Sequence, residues 1–83
     1  MENNIYKSGN NEMMKYRVVI RPAKEGGFVA SVPALEGCFT QGETIEEVRR
    51  NIREAIEAYI ESLRMDHLPI PEDIYSEEVE VSA

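Results

Sequence analysis

Three short segments of alternating apolar and polar residues, one long stretch with apolar side chains spaced by three and four, and a last alternating segment predict a two-layer α+β domain. The chain has 83 residues, enough for one domain. A domain of that size buries only about 60% of the surface its unfolded chain exposes, so its stability margin is thin. Cys38 is the single cysteine and His67 the single histidine, which excludes a disulfide framework and disfavours a structural zinc site. Association with another subunit is the remaining source of stability.

In the first segment Tyr16, Val18 and Ile20 alternate with Arg17, Val19 and Arg21, the period of a half-buried strand that Pro22 closes. Gly26 and Gly27 supply a tight hairpin turn, so Phe28 to Val32 should fold back antiparallel, with Phe28, Ala30 and Val32 on one face. Pro33 cannot donate to a ladder; through Ala34, Leu35, Glu36 and Gly37 it leads into a second reversal and a third strand, Cys38 to Gln41. The opposite face carries Arg17, Val19, Arg21, Val29 and Ser31, a mixed surface open to pairing.

Gly42 and Glu43 break the sheet, and Thr44 followed by Glu47 is a capping box. Beyond it Ile45, Val48, Ile52, Ala55, Ile56, Tyr59, Ile60 and Leu63 form one apolar stripe, the main stabilising element at roughly 1.5–3 kcal/mol per large side chain fully buried. Glu46 with Arg50 and Arg53 with Glu57 occupy the solvated face. Pro69 and Pro71 end the helix, and Val79 and Val81, alternating with Glu78, Glu80 and Ser82, predict a fourth strand at the sheet edge. The resulting pattern is β-β-β-α-β with strand order 3-2-1-4. Residues 1–13 are too polar to repay their ordering entropy and are expected to form a flexible tail ahead of one domain over residues 14–83.

Sixteen acidic against nine basic residues give a net charge of −7, which repels phosphate and suits a basic protein partner. Direct nucleic-acid binding is not expected. No apolar run approaches the ~20 residues of a membrane span, and the N-terminus carries no secretory pattern, which points to the cytoplasm. Nor do the residues assemble a catalyst. A Cys38/His67 pair would be the only thiol-imidazole combination, and Cys38 at a strand start reads as a small buried hydrophobe, His67 as a partner for the helix dipole. Residues 15–22 and 27–33 contain no Asp or Glu, so the strands offer no carboxylate cluster for metal-dependent cleavage. Glu43, Glu46 and Glu47 gather at the helix start, where the dipole already favours negative charge. No catalytic, cofactor or metal residue is assigned.

The run GGFVASVPALEGCFTQGETIEEVRRNIREAIEAYIE resembles the HicB-like antitoxin family, through the order and spacing of Gly27, Pro33, Gly37, Cys38, Gly42 and Thr44. The resemblance covers residues 14 to 82. It implies a truncated ribonuclease H-like fold without that enzyme's catalytic carboxylates. It also implies a type II toxin-antitoxin role, in which the acidic antitoxin blocks a small basic ribonuclease toxin of the HicA type. Many family members carry a C-terminal DNA-binding domain. This sequence ends at Ala83 with no such segment, so repression by this chain alone is not expected. Ala34 and Glu36 stand where the family often has an acidic residue and a proline in the corner.

The acidic residues assigned to partner binding are Glu72, Asp73, Glu77, Glu78 and Glu80, with Glu36 and Glu43 as further candidates. Gly26, Gly27, Pro33, Gly37, Gly42, Thr44 and Glu47 are assigned structural roles. A homo-oligomer, dimer or tetramer, is expected. The alternatives are a stand-alone oligomeric domain with no toxin, or a residual ribonuclease using Glu43, Glu46 or Glu47.

Overall fold

The computed structural model describes residues 14–74 and 77–82. Three strands, β1 (Val19–Pro22), β2 (Phe28–Ser31) and β3 (Phe39–Gly42), precede one helix, α1 (Ile45–Met65). The sheet is antiparallel in the order β1-β2-β3, with Ile20 opposite Ala30 and Ala30 opposite Thr40. Ile20, Ala30 and Phe28 therefore share the core face, as the alternation predicts. Val19, Ser31 and Phe39 form a row across the other face, where Phe39 is 67% exposed.

The first strand is shorter at its start than the alternation implies. Continued by two residues, the β1–β2 register would set Arg17 against Pro33, which has no amide to give. The chain has already turned at that point. Val32 donates to the Cys38 carbonyl (3.1 Å), Leu35 to that of Val32 (3.0 Å) and Cys38 to that of Leu35 (3.0 Å). This knot of backbone bonds drives Leu35 fully inside, where it joins Ala30, Val32, Cys38, Val48 and Ile52 in the buried core. Tyr16 and Val18, although outside the ladder, still pack against that cluster.

Two glycines fix the geometry around the helix start. Gly27, at φ +74°, closes the first hairpin, and a Cβ there would lie 2.6 Å from the Gly42 carbonyl oxygen. At Gly42 a Cβ would come within 2.8 Å of the Val48 amide nitrogen, so the helix can pass this close to β3 only over a bare backbone. Thr44 is the extended N-cap, and its hydroxyl oxygen accepts from the Glu47 amide at 3.0 Å. The Glu47 carboxylate returns to the Glu43 amide (2.7 Å), one residue before the cap amide that an ideal capping box would satisfy. Asn51 then donates to the Gln41 carbonyl at 2.8 Å, tying the second turn to β3.

The helix lies over β3 and β2 and makes no close backbone approach to β1. It ends before either proline. His67 takes φ +55° and donates to the Arg64 carbonyl (3.1 Å), while Leu68 donates to that of Leu63 (2.9 Å). These are the two bonds of a Schellman motif, with a histidine where glycine is usual. The chain then returns to the start of the sheet. The Tyr16 hydroxyl donates to the Pro71 carbonyl, the Arg17 amide to the Asp73 carboxylate (3.1 Å), and Arg17 Nε to the Ile74 carbonyl (3.4 Å).

The fourth strand expected over Val79 and Val81 is not formed among the described residues: 77–82 are exposed throughout and join no ladder. Of the order 3-2-1-4, the sheet contains the 3-2-1 part, with β1 as one edge. The tail assigned to residues 1–13 lies outside the described residues.

Candidate functional site

Because α1 covers β2 and β3 only, a groove of about 910 Å³ remains between α1 and the β1 side of the sheet. Its floor is apolar: Tyr16, Val18 and Ile20 from the first segment, and Ile52, Ile56 and Ile60 from the helix. Its rim carries Lys15, Arg49, Arg53 and Arg64 against Glu57 and Glu61, a basic excess on a chain of net charge −7. The helical stripe that the sequence reveals thus has two tasks. Val48 and Ile52 complete the core, while the flank at Ile56 and Ile60 walls the groove.

The residues assigned to partner binding occupy separate places. Glu36 sits exposed in the 32–38 corner, where its carbonyl accepts from the Tyr59 hydroxyl at 2.9 Å. Glu43 sits exposed before the helix. Between its partner Glu47 and Tyr59 the helix rises ~18 Å at ~1.5 Å per residue, so Glu36 and Glu43 mark opposite ends of the domain. Glu72 and Asp73 flank the anchor at Arg17, and Asp73 is engaged there by the guanidinium at 3.6 Å. Glu77, Glu78 and Glu80 are exposed on the segment beyond that anchor. Asp73 is thus a structural clasp as well as a surface charge.

Two titratable groups are displaced from their usual behaviour. Burial raises the Tyr16 hydroxyl above its ordinary 10.0, with further contributions from the Asp73 and Glu72 carboxylates, so Tyr16 stays a donor to Pro71. Burial also raises the Cys38 thiol, which keeps it neutral inside the core. Among the described residues no group of three or more His, Cys, Asp or Glu side chains converges as a metal site. Among the same residues no helix is long and apolar enough to cross a membrane. The groove and the Tyr59–Glu36 and Asn51–Gln41 ties escape sequence reading, because each depends on which element lies over which.

What this arrangement offers is surface: acidic edges, an open sheet edge and an apolar groove. Residues 16–81 match the family described as HicB-like antitoxin of bacterial toxin-antitoxin systems. A UPF0150 protein of Thermoplasma acidophilum is 53% identical over 70 residues, covering 84% of this chain and all of that one. A UPF0150 protein of Synechocystis is 45% identical over 62 residues, 75% of this chain and 78% of its own length. The Escherichia coli antitoxin HicB is 32% identical over 72 residues, which take in 82% of this chain and 52% of that protein. With a three-stranded antiparallel sheet backed by one capped helix and a match from Tyr16 to Val81, this chain belongs to the HicB-like antitoxin family.

Proposed function

We propose that this chain is the antitoxin of a type II toxin-antitoxin pair and that it acts in the cytoplasm by binding and blocking a small basic HicA-type ribonuclease. The family match over residues 16–81 is the observation that carries this reading. The net charge of −7 supports it, because opposite potentials speed encounter and suppress wrong pairings. The inhibition is by occupation. The chain supplies no catalysis and does not itself bind nucleic acid; its sheet and helix serve as a shortened ribonuclease H-like scaffold. It works as a homo-oligomer, and Val79 and Val81 become a fourth strand beside β1 in the assembled state.

The toxin-facing charges are Glu72, Asp73, Glu77, Glu78 and Glu80, with Glu36 and Glu43 in supporting places. The test is titration of the chain into its small basic partner with Glu72→Lys, Glu78→Lys and Glu80→Lys combined. These changes leave the Asp73 clasp and both valines intact. Affinity should fall at least tenfold at low salt, and the difference from the unaltered chain should shrink as salt screens the exposed charges. Unchanged affinity at low salt contradicts the electrostatic part of the reading.

A further inference from the structure

The groove and the last described segment complement one another. The groove runs beside β1, whose outer edge is unpaired among the described residues, in the sheet order β1-β2-β3. An unpaired edge is a template for strand addition. Its floor is apolar and its rim has four cationic side chains against two anionic ones. The segment Glu77–Ser82 is exposed, with Val79 73% and Val81 78% accessible, and three of its six residues are glutamates. Val79 and Val81 lie two apart, so in an extended strand they face one way and can enter the groove, with Glu77 on the same side toward the cationic rim.

The occupant is not this segment of the same chain. The clasp at Tyr16 and Arg17 brings residues 71–74 to the mouth of the chain's own groove, yet beyond it both valines stand in solvent. Fully extended, the six residues 77–82 are themselves ~20 Å long, enough to lie along a neighbour's β1. A two-fold pair in which each copy lends its arm fills both grooves and pairs both β1 edges, the closed arrangement that symmetry favours.

We propose that two copies of this chain exchange residues 77–82, each arm adding a fourth strand to the partner's β1 with Val79 and Val81 seated between β1 and α1. This deepens the self-association in the functional reading above and does not rest on the toxin.

The test uses the full chain. Light scattering after size exclusion should give about twice the 9.5 kDa chain mass for the unaltered protein, and a return to that single-chain mass for Val79→Asp combined with Val81→Asp. Circular dichroism should show the double variant still folded, because both side chains are exposed in the isolated domain. In a dimer mixed from isotopically labelled and unlabelled chains, magnetisation should pass between the Val79 and Val81 methyls of one copy and the Ile20 and Ile56 methyls of the other. A monomeric unaltered protein, a double variant that remains dimeric, or methyl contacts confined to one copy would each overturn the exchange. Inhibition of the toxin by the unaltered chain is a readout separate from its mass and its methyl contacts, so the two readings fail independently.

Discussion

At the level of single residues, three backbone positions define the fold's tolerances. Gly27 combines a left-handed φ of +74° with a Cβ path blocked 2.6 Å from the Gly42 carbonyl oxygen, so Gly27→Ala meets both backbone strain and a clash with backbone. Gly26 at φ +104° has open space around it and meets only the strain. Gly27→Ala should cost about 2–3 kcal/mol, and Gly26→Ala roughly half of that, in urea unfolding. His67 is the converse case. It holds φ +55° at the end of α1, where glycine carries no steric penalty, so His67→Gly should stabilise the domain by about 1 kcal/mol. A lower unfolding midpoint for that variant would show that the imidazole has a role beyond its backbone geometry. Thr44 belongs with these positions: its hydroxyl satisfies the Glu47 amide, and Thr44→Ala should cost ~1 kcal/mol in the same assay.

Among the elements, the clasp between residues 71–74 and the start of the first segment is the most exposed to solution conditions. The Tyr16 hydroxyl is raised above its ordinary 10.0 because burial and two carboxylates disfavour its anion. The neutral form is therefore the one that the fold prefers. The contribution is fully present below the ordinary tyrosine range and is lost as pH rises through the raised value. The protection of the Arg17 amide, its exchange rate relative to the unfolded-chain rate at the same pH, should accordingly fall above about pH 10, and Tyr16→Phe should bring the same loss of protection at neutral pH. An Arg17 amide equally protected in Tyr16→Phe would show that Asp73 alone holds the clasp.

The elements also show what the sequence could reveal. Alternation at Tyr16, Val18 and Ile20 places the right face inward, and the Thr44–Glu47 signature marks the helix start to the residue. Leu35 was not readable as core. It stands alone in a turn without a period, and only the bonds linking Val32, Leu35 and Cys38 carry it inside. Val79 and Val81 show why the fourth strand differs. Alternation tells which side chains can share an apolar surface, but a strand exists only when an edge accepts it, and among the described residues this arm pairs with none. The groove belongs to the same class, since the stripe from Ile45 to Leu63 does not say which strands α1 will cover. The glutamates proposed to face a partner are legible as charge and not as a site.

For the molecule as a whole, a small core and an acidic exterior divide the labour. Ala30, Val32, Leu35, Cys38, Val48 and Ile52 hold the sheet to the helix, and the proposed partner contacts lie on the surface around them. Leu35 and Val48, fully buried, each contribute about 1.5–3 kcal/mol, a large share of the margin available to so short a chain. Binding driven by net charge has a kinetic signature. The association rate with a basic partner should fall about tenfold or more as ionic strength rises from low to physiological, while dissociation changes little.

The most direct test measures RNA cleavage by the small basic ribonuclease proposed as the partner of this chain, at increasing amounts of the purified chain. An antitoxin that works by occupying its partner should abolish cleavage near stoichiometric addition and form a complex that isolates as one species. Cleavage that continues at full rate with the chain in excess, or a ribonuclease that stays uncomplexed beside it, would contradict that role.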